Sequence, residues 1–558
     1  MEEYLQLKKS NCKNCYKCIR NCSVKAIRFS DAQANIMDDA CILCGKCFVA
    51  CPQNAKKVRN DLPAAKALLK TGAPVYASVA PSFVAGFDGV SIASMERALK
   101  ALGFKGAEET ALGATVVKAQ YDALCEKGKQ DVIISTCCPT VNLLVQKHYP
   151  EAISYLAPVV SPMQAHCMDI KKRYTDAKTV FIGPCISKKA EAEQYPGAVD
   201  CVLTFEELFE WLEEEQVVFE SIPDNTTHSK ARLFPTTGGI LRTMTADNAD
   251  YAYMSVDGVE NCIDAIKDIL NHNINRCFIE MSACAGSCVG GPVIGKNRRA
   301  PVKEFLAVDR AAGKEDFKVS YPPEAELVRE FPKLAPRTVH IGGTAIEEVL
   351  HKLAKFKPED ELNCGSCGYN SCREKAEAVL LGKADLTMCL PYLKEKAESF
   401  SDNIILNTPN AILVLNEKLE VQQLNSAACR LMNIKDPRSV LTQHVACILD
   451  PAPFLTVVKS GKPVRDKRVY LAEYQKYAVQ TVVYDKGYHI IICFMRDVTE
   501  ETRTQLSRDK ISRNTMEIAD KVIDKQMRAV QEIASLLGET TAETKIALTK
   551  LKESLSNE

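Results

Sequence analysis

"VIISTCCPTV", residues 132–141, sets Cys137 and Cys138 side by side, directly behind an apolar, β-branched run. Val132, Ile133 and Ile134 read as a short buried strand, so the cysteines sit where the chain leaves it. Adjacent cysteines rarely bond to each other, because the disulfide geometry is strained. The pair is therefore two metal ligands, or one ligand and one reactive thiol. Two further segments repeat the arrangement: "TVFIGPCISKKAE" (179–191) delivers Cys185, and "CFIEMSACAGSCVGGPV" (277–293) delivers Cys284 and Cys288. Amphipathic helical stretches separate these runs. The pattern predicts an α/β domain with its cysteines at the carboxyl ends of strands, where open α/β sheets place their sites. Gly286, Gly290 and Gly291 are expected to let backbone N–H groups approach the sulfurs closely.

The whole chain sets limits around this domain. Its 558 residues suggest about three or four domains. Lys+Arg and Asp+Glu both count 71, so a formal charge of zero supplies no electrostatic case for nucleic acid or an anionic membrane. No apolar run approaches a membrane span, and the start "MEEYLQLKKSNCKNC" is polar rather than a signal peptide, so a cytoplasmic protein is expected. In a reducing compartment, 25 cysteines favour metal binding over disulfides.

Cys12, Cys15, Cys18 and Cys22 form a C-x2-C-x2-C-x3-C run, and Cys41, Cys44, Cys47 and Cys51 form a second, followed by Pro52. This is the spacing of two-cluster bacterial ferredoxins, in which the fourth cysteine of each run serves the other cluster. One [4Fe–4S] cluster would use Cys12, Cys15, Cys18 and Cys51, and the other Cys41, Cys44, Cys47 and Cys22. A third set, Cys364, Cys367, Cys372 and Cys389 in "NCGSCGYNSCREKAEAVLLGKADLTMC", suits [4Fe–4S] or zinc. That string resembles the small cluster-binding domain of corrinoid iron–sulfur and redox electron-transfer proteins, which implies a third [4Fe–4S] cluster.

The three middle strings resemble the signature loops of [FeFe]-hydrogenases: T-S-C-C-P at Ser135–Pro139 (here Ser-Thr rather than Thr-Ser), P-C-x-x-K-x-x-E at Pro184–Glu191, and E-x-M-x-C-x-x-G-C-x-x-G-G at Glu280–Gly291. The resemblance covers roughly residues 1–335. It implies that Cys138, Cys185, Cys284 and Cys288 hold the [4Fe–4S] part of an H-cluster, with Cys288 bridging to a diiron subsite carrying CO, cyanide and an azadithiolate. It further implies that Cys137 is the proton-carrying thiol, that Lys188 donates to a cyanide, and that Pro139, Pro184, Ser282, Gly238, Gly239 and Met163 line the cofactor. The departures are Gly183 and Ser282 where the family has Met, and a shortened "GGPVI". By alignment, the family's proton path falls on Asp122, Ala119 and Ala157, and its pocket-capping Gln on Met163. An interrupted proton exit and slow turnover are the expectation.

Residues 400–497 carry apolar alternation around an Asn-containing turn and end in Arg-Asp-Val-Thr, which resembles a PAS domain. The tail is helical, with Ala519, Ile523, Val530, Ile533 and Leu537 in a near a/d rhythm that suggests a coiled-coil homodimer. Gly538 and the capping pattern Thr540–Glu543 divide it into two helices. The expected architecture is an α/β hydrogenase core (63–335) with an α+β ferredoxin-like N-terminal domain (1–62). A small 4Fe-4S domain (336–398), a PAS-like α+β domain (399–499) and a C-terminal helical coiled coil (500–558) follow. Expected partners are H2 and protons, a ferredoxin, and a separate kinase or phosphatase. Three functions compete: a sensory hydrogenase signalling through the PAS-like domain, a metabolic ferredoxin-linked hydrogenase, and a non-catalytic iron–sulfur assembly scaffold without the diiron centre.

Overall fold

The computed structural model describes residues 4–87, 89–223, 228–245, 248–294, 301–334, 341–537 and 542–556. Gly538, Thr540 and the expected domain boundary at 335/336 lie outside the described residues.

The N-terminal segment is built from two small antiparallel pairs. β1 (Leu5–Leu7) pairs with β4 (Lys56–Val58), and β2 (Ile27–Ser30) pairs with β3 (Gln33–Ile36). Two short helices, Lys17–Arg20 and Lys46–Ala50, carry the third cysteine of each run. They start at Tyr16 and Gly45, both in the left-handed region, which turns each cysteine loop sharply into its helix.

The α/β core has two parallel sheets. β5 (Val75–Val79), β6 (Gly106–Glu109), β8 (Lys178–Gly183) and β9 (Cys201–Thr204) form a sheet in the order β6-β5-β8-β9. β7 (Val132–Ile134), β10 (Ala252–Asp257) and β11 (Cys277–Ser282) form another in the order β10-β11-β7. β5, β7, β8 and β9 are apolar and buried almost throughout, as parallel strands covered on both faces must be. The cysteine loops therefore leave the carboxyl ends of two sheets: 137–138 and 284–288 from one, 185 from the other.

The first three expected domains do not stand apart. Met1–Leu393 form one compact unit and Lys394–Glu558 another. The reason is a continuous apolar core: Leu5, Ile19 and Ile27 cluster with Val132, Ile134 and Ile279, and with Tyr369, Ala378 and Met388.

In the second unit, β12 (Ala411–Asn416), β13 (Val421–Leu424), β14 (Val464–Leu471), β15 (Lys476–Asp485) and β16 (Ile490–Asp497) make one antiparallel sheet in the order β13-β12-β16-β15-β14. The Asn-containing turn closes on Asn416, whose Oδ1 accepts the Lys418 and Glu420 N–H groups at 3.0 and 2.9 Å. At the exit, Asp497 Oδ1 accepts the Thr499 N–H at 3.0 Å and starts the helix Thr499–Leu537. Along that helix Met516, Ala519, Ile523, Met527 and Val530 are half-buried, and Lys552 of the helix Ala542–Ser556 pairs with Asp520 at 2.7 Å. The seam read as a dimer contact is thus partly covered by the chain's own second helix, because a helical return places an apolar stripe within reach at no association cost.

Candidate functional site

Cys138 is the N-cap of the helix Pro139–His148, and Pro139 opens that helix, where a missing N–H costs nothing. The loop before it is pinned by Thr136, whose N–H donates to Tyr121 Oη at 2.9 Å and whose hydroxyl reaches the Ala157 and Val159 carbonyls. Asn142 Nδ2 donates to the Thr136 carbonyl at 3.0 Å. The second loop leaves β8 at Gly183. A Cβ there would lie 2.7 Å from the Phe181 ring, so the volume of a larger side chain is already taken. Cys185 Sγ lies 3.1 Å from Ser187 Oγ, which accepts from Thr140 Oγ1 at 2.8 Å and ties the first two loops together. In the third loop a Cβ at Gly290 would stand 2.0 Å from the Ala285 carbonyl oxygen, and one at Gly291 2.6 Å from that of Pro184. Glycine is required at both. Gly286 gives its N–H to Asp257 Oδ2 at 2.8 Å rather than to a sulfur. The amides that approach Cys138 are those of Ala283 and Val141.

Three loops thereby bring four thiols together. Cys138 and Cys185 interact, and Cys284 interacts with both and with Cys288. Cys288 also lies beside Lys188 and Cys137. Burial pushes the Cys138, Cys284 and Cys288 thiols up. Loading this site therefore requires proton release, as metal binding to buried cysteines does. Among the described residues no three His, Cys, Asp or Glu side chains close on a single ion. Four thiolates on an iron–sulfur cube need not, since they share a cluster rather than one metal.

Cys137 is held differently. Its sulfur lies 3.1 Å from Tyr121 Oη, and burial pushes its thiol up to about 12. Tyr121 itself is fully buried. Lys188 Nζ donates to the Cys137 carbonyl at 3.3 Å and to Glu191 Oε2 at 2.7 Å, and Arg329 Nη1 holds Glu191 Oε1 at 2.8 Å. Burial raises the Glu191 carboxyl, but the two cations outweigh it and hold the group below the ordinary carboxylate range.

Sequence reasoning expected an acid at Asp122 next to Cys137. The group in contact with the sulfur is its neighbour Tyr121, while Asp122 accepts the Thr245 N–H and hydroxyl at 3.0 and 2.8 Å. Adjacent helix residues point about 100° apart, so only one of the pair can face the thiol. Met163 packs in the apolar cluster around β5 and β8. Its neighbour Gln164 is the buried amide, with an Nε2 that has no partner. Ser282 accepts from Ser287 Oγ at 2.7 Å within the third loop. Gly238 and Gly239 open the helix Gly239–Thr243, whose first N–H groups surround the Glu280 carboxylate.

Burial still pushes Glu280 up to about 7. A raised acid binds its proton more tightly in the folded state, so its contribution to stability is present below about pH 4.5 and lost as pH rises through about 7. Over that window the loss is about 3 kcal/mol. Glu280→Gln should flatten that dependence in cluster-free protein, read by unfolding at pH 5 and 7.5 through Trp211, the chain's single tryptophan. An unchanged pH slope would show that the carboxyl is already ionised in the fold.

Seven of the eight N-terminal cysteines, all but Cys15, sort into the two crossed groups. Cys18 neighbours Cys12 and Cys51, whereas Cys44 and Cys47 neighbour Cys41 and Cys22. Amides reach Cys22, Cys41 and Cys51 from Ala26, Leu43 and Ala55 at 3.2, 3.4 and 3.3 Å. The second group adjoins the middle site, since Cys284 feels Cys44 and Gly45 packs on Pro292. Cys364, Cys367, Cys372 and Cys389 line one cavity with Tyr369 and Lys375.

Comparison with known proteins gives three family matches. Residues 73–292 match the iron only hydrogenase large subunit, C-terminal domain. Residues 4–61 match a 4Fe-4S dicluster domain, and residues 360–391 a putative Fe-S cluster family. Iron hydrogenase 1 of Clostridium pasteurianum is 24% identical over 42% of this chain and 51% of its own length. A cytosolic Fe-S cluster assembly factor, NAR1 of Yarrowia lipolytica, is 29% identical over 27% of this chain and 35% of its own. The matches thus span about half or less of these relatives. Among solved structures, [FeFe]-hydrogenase HydA1 from Chlamydomonas reinhardtii aligns at 16% identity over 50% of this chain and 100% of that one, with a TM-score of 0.39. The PAS domain of nitrogen regulation protein NR(II) from Vibrio parahaemolyticus aligns at 20% identity over 17% of this chain and 96% of that one, with a TM-score of 0.16. The chain carries a hydrogenase-like domain joined to iron–sulfur domains. Among the described residues no helix is long and apolar enough to cross a membrane.

Proposed function

We propose that the chain is an [FeFe]-hydrogenase-type protein that interconverts H2 with two protons and two electrons, and that it acts as an H2 or redox sensor. In this reading the H-cluster sits on Cys138, Cys185, Cys284 and Cys288. The PAS-like domain and helical tail report, as a homodimer, to a separate kinase or phosphatase. The observation that carries it is the convergence of these four thiols with a fifth, Cys137, that is turned instead onto Tyr121.

The donor set fits such a centre: four thiols on three loops, two amides on Cys138, and an ammonium beside Cys288. When bound, the centre supplies the open iron at which H2 is polarised. The chain supplies the rest. Cys137 Sγ, 3.1 Å from Tyr121 Oη, carries the proton. Tyr121 Oη orients that sulfur. Lys188, anchored by Glu191, presents N–H donors toward the anionic ligands. Ala119 and Ala157 offer no side-chain relay, which fits slow turnover and a sensor better than a metabolic enzyme.

Infrared spectra after maturation test the reading: CO and cyanide bands are expected. A protein that takes up a four-iron centre at Cys138, Cys185, Cys284 and Cys288 yet shows no such bands would instead be an assembly scaffold, the reading that the similarity to NAR1 favours. Turnover matching metabolic hydrogenases would favour the ferredoxin-linked enzyme. Fully loaded protein should hold about 18 irons, three four-iron clusters plus six in the H-cluster. Saturation near about 10 would remove two of the cluster sites.

A further inference from the structure

The third cysteine set is seated on the ferredoxin-like fold. A Cβ at Gly368 would lie 2.7 Å from Ile19 Cγ2, so glycine is what lets this loop press on the helix Lys17–Arg20. Lys25 Nζ donates to the Gly368 carbonyl at 2.7 Å, and the Phe29 N–H to that of Lys383 at 2.8 Å. Arg20 spans both cysteine loops, with Nη1 on the Ser366 carbonyl at 3.1 Å and Nη2 on that of Cys15 at 3.2 Å. Tyr369 lies in the middle. It is buried, it feels both Cys22 and Cys367, and its hydroxyl has no partner. Lys25 and Lys375 approach its ring at 5.9 and 5.6 Å.

The two sides of this contact differ in solvent exposure, and lysines act on both: Lys25, Lys147, Lys46 and Lys56 on Cys22, Cys41, Cys44 and Cys47, and Lys375 on Cys367 and Cys389. Cys22, Cys41 and Cys47 are buried and Cys44 half-buried. Across Tyr369, Cys364 is exposed, Cys367 and Cys372 are half-buried and Cys389 is buried, and Lys375, itself fully buried, lines the cavity with all four cysteines. Solvent exposure and nearby charge both set cluster potentials, and an ammonium in a low-dielectric site acts strongly on its neighbours.

We propose that the 364–389 site is a branch of the electron wire that takes electrons from the cluster on Cys22, Cys41, Cys44 and Cys47 across the Tyr369 contact, with Lys375 as the charge that raises its potential. The inference rests on the cluster reading above. In the step, one electron leaves a reduced [4Fe–4S]1+ cluster on the Cys22 side, which returns to the 2+ state, and the 364–389 cluster passes from 2+ to 1+. The electrons originate in H2 oxidation, or in dithionite when the step is tested. H2-derived charge then comes to rest at 364–389, the cluster site last in the chain before the PAS-like domain.

The test is a dithionite titration of reconstituted full-length protein followed by EPR, with Cys372→Ser identifying the third signal by its loss. In the wild type that signal should appear at a more positive potential than the signal of the Cys22 side. With both clusters reduced, spin–spin broadening should be present and should vanish in Cys372→Ser. Lys375→Met should shift the third midpoint to more negative potential and leave the others in place. A third signal below the Cys22 side, no spin–spin interaction, an unshifted midpoint in Lys375→Met, or zinc at this site would each overturn the proposal. The ordering and the broadening need no lysine variant, so they decide the question even if Lys375→Met does not fold. Missing infrared bands would defeat the H-cluster reading and leave these signals untouched.

Discussion

Replacing Cys137 by alanine should leave the iron content unchanged and lower H2-dependent dye reduction by about 10²–10⁴-fold, the usual contribution of a positioned acid–base group. In the proposed reading four other cysteines complete the ligand set, and the Cys137 sulfur is turned onto Tyr121 Oη at 3.1 Å. Cys138→Ala, two atoms of backbone away in role as well as position, should instead lose the centre. The measurement is iron per chain together with turnover. Loss of about four irons in Cys137→Ala would make Cys137 a ligand and reverse the assignment.

Glu191→Gln should lower the stability of the Met1–Leu393 unit by about 3–5 kcal/mol, the usual cost of breaking a buried ion pair by removing one partner. Glu191 is the shared anion of two cations, Lys188 at 2.7 Å and Arg329 at 2.8 Å, and its side chain is 2% exposed. Without its charge, an ammonium and a guanidinium face each other out of water. The double variant Glu191→Gln/Lys188→Met removes one cation and should recover part of the loss. Trp211, buried in the same unit, reports its unfolding separately from that of the tail. A loss below about 1 kcal/mol, the range of exposed pairs, would show that water reaches the triad.

How much of this was legible in advance follows from the range of each interaction. The cysteine loops were legible because each lies within a few residues of the strand that delivers it: Cys138 after β7, Cys185 after β8, Cys284 after β11. The crossed ferredoxin runs were legible for the same reason, since their spacing is local. Tyr121 was missed although it stands next to Asp122, because a one-residue difference on a helix decides which side chain faces the thiol and alignment across a deletion does not resolve it. Glu191 appeared only as the last letter of a motif. Its second partner, Arg329, is 138 residues away, and nothing in the local string points to it.

The sequence by itself determined which cysteines end strands, how the two N-terminal runs are spaced, and that a helical tail follows an alternating segment. Those features rest on strand periodicity and loop spacing, which act over a few residues. Only the tertiary structure decided that the site lies between two parallel sheets, that Met163 belongs to the apolar core, and that the tail's apolar stripe is partly covered by its own chain. It alone decided that the 364–389 set sits against Ile19 and Lys25 of the ferredoxin-like fold, with Tyr369 of the set under Lys25. The physical reason is burial: apolar surfaces more than 300 residues apart in sequence share one core, and which surfaces meet depends on shape complementarity across the whole unit rather than on any local pattern.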